Sequence, residues 1–418
     1  MYRKIKGTED IYGEEIKYWY FIENTAREVS RIYGYEEIRT PIFERTELFV
    51  RSVGEETDIV QKEMYTFEDK GGRSLTLRPE GTAPTIRAFV ENSMIASGLP
   101  RRLFYIGPMF RYERPQSGRQ RQFHQFGIEL LGSSSPLGDA EAIMLADNFL
   151  RKLGLVDYKI VINSIGCEKC RPKYKEALKE YYSNILDKVC DDCKRRYETN
   201  ILRLLDCKVD SSYAENAPKM KDYLCTECKS HYEETKKLLE TLEVAYEENF
   251  NLVRGLDYYN GIVFEIHHSR LGAQSAIGGG GRYDKLIEEI GGPKTPSLGF
   301  AMGIERLIIA LKKENVPVEE WRNNEVFIAH LGHEAKIEAI KIAEELRKNE
   351  ISVVFNTMER GLSAQLKHAA RLKCKLCIIV GENELERDVV ILRNLETGDQ
   401  VEIERTFIVG TAKEWLQD

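Results

Sequence analysis

Apolar and polar positions alternate along this chain in two rhythms, one helical and one strand-like. Ile16, Tyr20, Ile22, Ala26, Val29 and Ile32 recur at helical spacing, which predicts a helix over 14–33 with Gly34 as its C-terminal stop. Residues 35–44 read as a strand interrupted by Pro41, and a proline there confines the segment to an edge or a bulge. Two short strands, 64–67 and 74–77, flank a turn at 69–72, and Thr82 is placed to cap a helix over 83–92. The apolar runs 103–106 and 126–131 predict a hairpin whose long polar loop carries Pro115, Ser117 and Gly118. A core-packing helix over 139–153 and a strand over 158–163 follow, and then a helical, Lys/Glu-rich stretch fills 167–245. Clear alternation over 262–267 gives another strand. The glycine run 276–281 is read as leading into a helix, and small residues from Ser297 as opening a helix that continues to Leu311. Beyond a linker at 314–324 containing Pro317, strands at 326–330, 352–355 and 375–380 alternate with helices at 334–348 and 363–372. Two β-like segments, 389–393 and 400–405, precede a final helix. That order argues βαβ units and a largely parallel sheet.

A chain of 418 residues exceeds one ordinary core, so two or three domains are expected. Hydrophobic content of 42% and charged content of 31% describe a soluble globular protein, more charged than the ~25% average. The net charge of −7 excludes a global basic field, so any nucleic-acid contact must come from local patches. The N-terminus, MYRKIKGTED, has no apolar signal region and no run of 18 apolar residues occurs, which leads us to expect a cytoplasmic protein. Nine cysteines in that compartment suit reduced thiols or metal ligands rather than disulfides.

Charge is concentrated in 101–132, where six arginines face only Glu113 and Glu129. Guanidinium forks suit phosphate oxygens, and Phe123 or a second arginine can sandwich a purine; a solvated basic loop is the equal alternative. Glu80 and Thr82 lie between a strand end and a helix start, where a carboxylate and a hydroxyl can hold an amine or simply cap the helix. Arg254, Tyr258 and Tyr259 lie at a strand entry and can line a cleft, although such tyrosines usually pack. The glycine run lacks the P-loop and dinucleotide patterns. Cys167 and Cys170, then 19 residues, then Cys190 and Cys193 match zinc-ribbon spacing, and Cys225 with Cys228 adds a third pair. Their helical surroundings differ from a β-ribbon, so structural zinc stands second to buried reduced thiols. No His/Asn arrangement marks a catalytic cysteine. Arg360, Lys367, Arg371, Lys373 and Lys375 form an acid-free basic stretch, a solvated face or an RNA-binding patch in equal measure. Cys374 and Cys377 read as core thiols.

Three strings carry a family resemblance. Phe110-Arg111-Tyr112-Glu113, followed by a loop and Arg-Gln-Phe-His-Gln at 121–125, resembles motif 2 of class II aminoacyl-tRNA synthetases. LVRGLDYYN at 252–260 resembles the histidyl-tRNA synthetase family specifically, and the GxGxER pattern ending at Arg306 resembles class II motif 3. The resemblance implies an α+β catalytic domain on an antiparallel sheet over 1–166 and 246–320, a cysteine-rich helical insertion over 167–245, and an α/β anticodon-binding domain over 325–418. It implies a histidine–tRNA ligase that uses ATP and Mg²⁺ to make histidyl-adenylate and then charges tRNA(His). Arg111 and Arg254 would flank the α-phosphate as the catalytic pair. Glu113, Arg119, Phe123 and Arg306 would complete the ATP site, with Glu113 at adenine and Arg306 at the γ-phosphate. Histidine would be held by Glu80, Gly81, Thr82, Gln125, Glu129, Tyr258, Tyr259 and Tyr283, with Glu129 and Tyr259 at the ring nitrogens. The helix–strand–proline arrangement near the N-terminus would be motif 1, a homodimer interface.

Two readings from other classes compete. A non-catalytic, histidine-binding regulatory subunit of ATP phosphoribosyltransferase would typically lack the C-terminal domain and the catalytic arginines, and this chain retains both. A plain RNA-binding or scaffold protein would have no need of Glu80, Glu129 and Arg254 together. A threonyl or prolyl enzyme of similar architecture would lack LVRGLDYYN.

Overall fold

The computed structural model describes residues 2–320 and 325–417, so the last four residues of the expected linker, 321–324, lie outside the described residues. The chain divides into two compact units, Met1–Val318 and Glu319–Asp418.

The larger unit contains strands β1 (Glu36–Glu37), β2 (Phe43–Arg45), β3 (Tyr65–Glu68), β4 (Ser74–Leu77), β5 (Arg101–Phe110), β6 (Gln122–Leu131), β7 (Tyr158–Ser164), β8 (Tyr246–Glu248), β9 (Asn260–His268), β10 (Ala276–Arg282) and β11 (Ser297–Gly303). Its helices are α1 (Ile16–Ile32), α2 (Thr46–Val53), α3 (Thr82–Glu91), α4 (Pro136–Lys152), α5 (Arg171–Ser183), α6 (Asp191–Thr199), α7 (Ser211–Asn216), α8 (Thr226–Thr241), α9 (Leu286–Glu289) and α10 (Ile304–Glu314). Eight strands form one sheet in the order β1-β5-β6-β11-β10-β9-β7-β8. The interior pairings are antiparallel, whereas β1 on β5 and β8 on β7 are parallel. The sheet is therefore mixed at its edges, a refinement of the antiparallel expectation. A small antiparallel sheet, β2-β4-β3, stands beside it.

Period-2 alternation sorts the large sheet into two faces. Phe126, Ile128 and Leu130 of β6 and Leu298, Phe300 and Met302 of β11 enter one core with α1, α4 and α10. The intervening residues face the other way. On α1 the buried stripe is Trp19, Ile22, Ala26 and Val29, while Tyr20 and Ile32, expected on that stripe, are exposed. Gly34 follows the helix at φ +75, the left-handed stop that its position suggested.

Two expected helical openings are strands. The glycine run is β10, in the middle of the sheet, and 297–303 is β11, with α10 beginning only at Ile304. In β10 glycine hides the strand pattern because it has no side chain to alternate, whereas β11 does alternate through Leu298, Phe300 and Met302. Close packing explains the use of glycine: a Cβ on Gly280 would lie 2.0 Å from the Gly299 carbonyl oxygen.

The smaller unit contains β12 (Val326–His330), α11 (His333–Lys348), β13 (Val353–Phe355), α12 (Leu362–Arg371), β14 (Leu376–Val380), α13 (Glu382–Glu386), β15 (Val389–Asn394), β16 (Gln400–Glu404) and α14 (Ile408–Gln417). Its sheet runs β13-β12-β14-β15-β16, parallel across the first three strands and antiparallel across the last three. Helices α11 and α14 cover one face and α12 the other, where Cys374 and Cys377 are buried. Arg360, Lys367, Arg371 and Lys373 are exposed, while Lys375 is half-buried and donates to the Leu416 carbonyl at 3.0 Å.

Candidate active site

The face of the large sheet away from the helical core is built in cross-strand rows. One row runs Tyr105, Gly127, Ala301, Gly279 and Glu265 across β5, β6, β11, β10 and β9. The next runs Leu103, Glu129, Gly299, Gly281 and Val263. Three glycines in these rows decide which larger groups fit. A Cβ on Gly127 would lie 2.4 Å from the Tyr105 ring, on Gly279 2.7 Å from the Arg254 guanidinium, and on Gly299 2.0 Å from Glu129 Oε2. Glycine here supplies room, taken by a phenol ring, a guanidinium and a carboxyl group.

A cavity of about 340 Å³ lies over this floor, an ordinary size for a small-ligand site. Its lining includes eleven of the fourteen residues singled out from the sequence: Glu80, Thr82, Arg111, Glu113, Arg119, Phe123, Gln125, Arg254, Tyr258, Tyr259 and Arg306. The other three lie just behind it. Gly81 abuts the Tyr105 ring, 2.2 Å from where its Cβ would be, and Tyr283 donates its hydroxyl to Glu129 Oε2.

Two buried carboxylates mark one end. The Glu80 carboxylate accepts backbone N–H bonds from Thr82 at 2.6 Å and Ala83 at 2.8 Å. Glu80, rather than the Thr82 side chain, therefore caps α3, which reverses the expected assignment. Burial raises the Glu80 carboxyl, opposed by those two N–H donors. Glu129 is 1% exposed, and its Oε1 makes no protein hydrogen bond. Desolvation lifts its pKa to about 8, against the lowering effect of the Tyr283 hydroxyl. Tyr258, Tyr259 and Tyr283 close the wall around it, with ring centroids 4.6, 5.6 and 6.4 Å apart. The Gln125 Oε1 is also buried and makes no protein hydrogen bond.

Arginines mark the other end. Arg254 is ion-paired with Glu265 on β9 and lies 5.4 Å from the Tyr259 ring centre, and its Nε makes no protein hydrogen bond. Arg111 Nε donates to the Pro79 carbonyl at 2.8 Å, and its guanidinium stands 5.3 Å from the Phe123 ring centre. Arg306 Nε reaches the Gly118 carbonyl at 3.1 Å and a second nitrogen donates to Ala276 O, so it pins the hairpin loop to β10. Burial first, then the like charge of Arg119, lowers the Arg306 pKa. Glu113 holds Arg119 at 3.1 Å.

Several lining or supporting residues escaped sequence reading. Glu305 accepts the His124 backbone N–H at 3.0 Å and meets its ring Nδ1 at 2.9 Å, tying α10 to β6. Its signal was its place in the GxGxER string. Glu265 is the polar member of an alternating strand, which placed it opposite the apolar core. Arg203 and Asp206 come from the 167–245 stretch, where nothing in the sequence pointed to the cleft. Arg203 also lines a second cavity of about 410 Å³, together with Arg111, Arg119, Arg195 and Arg196.

The cysteines regroup. Cys167 and Cys170 converge with Cys225 and Cys228, not with Cys190 and Cys193 as zinc-ribbon spacing suggested. The latter two join Cys207 and Asp210. Helices α5 and α8 bring the distant pairs together, which linear spacing could not register.

Comparison with known proteins bears on this geometry. A histidyl-tRNA synthetase family model matches residues 7–307, and an anticodon-binding domain model matches 325–415. The chain is 79% identical to a histidine–tRNA ligase of Thermosipho melanesiensis over 418 residues, covering 100% of both chains. It is 63% identical over 406 residues to that of Thermotoga maritima, covering 97% of each. The chain belongs to the histidyl-tRNA synthetase family. Among solved structures, the apo histidyl-tRNA synthetase of S. aureus superposes with a TM-score of 0.84 at 38% identity, covering 99% of this chain and 100% of that one. The chain is accordingly an aminoacyl-tRNA synthetase, a histidine–tRNA ligase, and full-length identity to ligases favours that reading over the regulatory subunit. Class II membership implies the use of ATP with Mg²⁺ in general. No helix among the described residues is long and apolar enough to cross a membrane.

Proposed function

We propose that the cleft of the larger unit activates L-histidine with ATP and then esterifies the 3′ end of tRNA(His), with the roles divided between its two ends. One observation carries this reading: Arg111 and Arg254 line the same cavity as Glu80 and the Tyr258–Tyr259 pair. Buried carboxyls and guanidiniums in one small cavity suit an amino acid and a triphosphate held together.

Glu80 and Thr82 take the α-amino group. Glu129 and Tyr259 meet the imidazole nitrogens, backed by Gly81 and Tyr283, and Gln125 meets the main-chain groups. A histidine carboxylate oxygen attacks the α-phosphorus, and the bond to the bridging oxygen of the β-phosphate breaks, releasing pyrophosphate. Arg111 and Arg254 neutralise the α-phosphate as charge builds on it, which is where a fixed guanidinium lowers a barrier most. Arg119 and Arg306 serve the outer phosphates, while Phe123 and Glu113 address adenine. In the second step a ribose hydroxyl of the terminal adenosine attacks the adenylate carbonyl and AMP leaves.

Mg²⁺ enters as part of the substrate, bound to ATP phosphates. The cleft carboxylates are already engaged, Glu265 by Arg254 and His267 and Glu305 by His124. Among the described residues, metal-ligating side chains converge at the two cysteine-containing clusters and not in the cleft.

The catalytic domain comprises residues 1–166 and 246–320, the insertion 167–245 and the anticodon-binding domain 325–418, in keeping with family-model matches over 7–307 and 325–415. Arginines 195, 196 and 203 beside the cleft suit the tRNA acceptor end, and exposed basic residues from Arg360 to Lys373 suit the anticodon arm. Exposed Ile42, Phe43 and Phe67 around β2 and β3 support homodimerisation through the motif 1 region, in a cytoplasmic protein. Pyrophosphate exchange into ATP with each of the twenty amino acids tests the reading. Exchange with histidine alone is the expected result, and histidine binding without exchange would overturn it in favour of a regulatory role.

A further inference from the structure

Four thiols lie at the root of the 167–245 segment. Cys167 and Cys170 follow β7 closely, and Cys225 and Cys228 stand at the start of α8. All four sulfurs lie within 4.8 Å of one another. Cys167 Sγ is 3.6 Å from Cys170 Sγ and 3.9 Å from Cys225 Sγ. Disulfide sulfurs would be about 2.05 Å apart, so these are not cystines. Four sulfurs tetrahedrally placed at about 2.3 Å from a zinc ion are about 3.8 Å apart, which brackets with the two separations observed.

Polar groups surround the four sulfurs, and the Cys225 thiol also lies 3.1 Å from Glu227 Oε2. Cys170 and Cys225 occupy the N-cap positions of α5 and α8, where the helix dipole favours negative charge. The Cys225 backbone N–H donates to Cys170 Sγ at 3.1 Å. Arg171, the residue after Cys170, adds a buried-side positive charge next to the cluster.

We propose that Cys167, Cys170, Cys225 and Cys228 bind one zinc ion, a structural site with no open position. It staples the start of the segment to α8 across 58 residues of chain. The staple reaches the cleft through Arg171, whose guanidinium donates to the Ile165 carbonyl at 3.2 Å and to the Tyr259 carbonyl. That link to Tyr259 matters for catalysis only on the histidine-pocket reading above; the metal assignment stands without it. The other cluster is built differently, from three thiols and one carboxylate. Its Asp210 carboxylate already accepts the Cys190 N–H at 3.0 Å and the Cys207 thiol at 3.5 Å, so those groups are satisfied as a hydrogen-bonded knot.

The test uses the full chain. Purified protein is reconstituted with zinc chloride, dialysed into metal-free buffer, and its metal content measured by mass spectrometry. Site-resolved alkylation with iodoacetamide is then read on the native protein with and without a strong chelator. We expect Cys167, Cys225 and Cys228 to be protected with zinc and modified after chelation, and a Cys225→Ser/Cys228→Ser variant to hold one zinc equivalent fewer than the parent. Equal alkylation of those three thiols with and without chelator would overturn the proposal, as would unchanged zinc content in the variant. Alkylation is read on the unaltered protein, so it decides the matter even where the double variant fails to fold. Histidine-dependent pyrophosphate exchange, assayed in parallel, reports separately on the cleft.

Discussion

Replacing Glu129 with glutamine removes a charge from the histidine pocket while keeping its volume. Glu129 is buried, one carboxylate oxygen is held by Tyr283, and the other makes no protein hydrogen bond. That second oxygen is the partner proposed for an imidazole nitrogen. With a pKa of about 8, the empty site carries a proton on Glu129 near neutrality, which it can share with the incoming ring. The shared proton makes a charge-assisted bond, and such bonds contribute about 1.5–3 kcal/mol. An amide cannot share a proton in this way, so Glu129→Gln should weaken histidine by about tenfold to a hundredfold, at 1.4 kcal/mol per factor of ten. The ring contact exists before and during reaction, so the loss should fall on KM for histidine with kcat nearly unchanged. KM for ATP, bound at the other end of the cleft, should stay within twofold. Pyrophosphate exchange at varied histidine and saturating ATP measures all three. An unchanged KM for histidine would remove Glu129 from the pocket, and an equal loss on both substrates would mean that the variant had disturbed the fold.

Further expectations follow from the same geometry. Because the folded pKa of Glu129 lies above the ordinary 4.5, the folded state keeps a proton that the unfolded chain loses, and Glu129 lowers stability progressively from pH 4.5 to about 8. Chemical denaturation across that range should show the parent losing stability relative to Glu129→Gln as pH rises; parallel curves would refute this. Arg254→Lys keeps a cation against Glu265 but loses the planar fork, so kcat for exchange should fall by about 10²–10³ with little change in histidine KM. A lysine variant with full kcat would take Arg254 away from the α-phosphate. Gly280→Ala forces a methyl against a backbone carbonyl and should cost about 3 kcal/mol, read as a lower denaturation midpoint. Gly410→Ala meets nothing within 4 Å inside α14 and should stabilise by about 0.5–1 kcal/mol.

Local chemistry was legible in the chain itself. The helix α1, the hairpin β5–β6 and the alternating strand β9 each declare themselves, because apolar side chains must recur at the period of the element that buries them. Six arginines against two acids marked 101–132 as a candidate phosphate site, whereas the individual roles of Arg111, Arg119 and Glu129 came from the family resemblance. Three-dimensional packing decided the rest. The glycine strand β10 carries no side-chain rhythm, and only its close approach to neighbouring backbones makes glycine necessary there; β11 does alternate, with Leu298, Phe300 and Met302 entering the core. Glu80 rather than Thr82 caps α3 because the carboxylate reaches two backbone donors at once, a matter of loop geometry and not of residue type. Arg203 and Asp206 reach the cleft, and Cys225 reaches Cys167, only because helices fold a long segment back on its own root. Sequence period reports which face of an element is buried; which distant residue meets that face is settled by the packing of whole elements against one another.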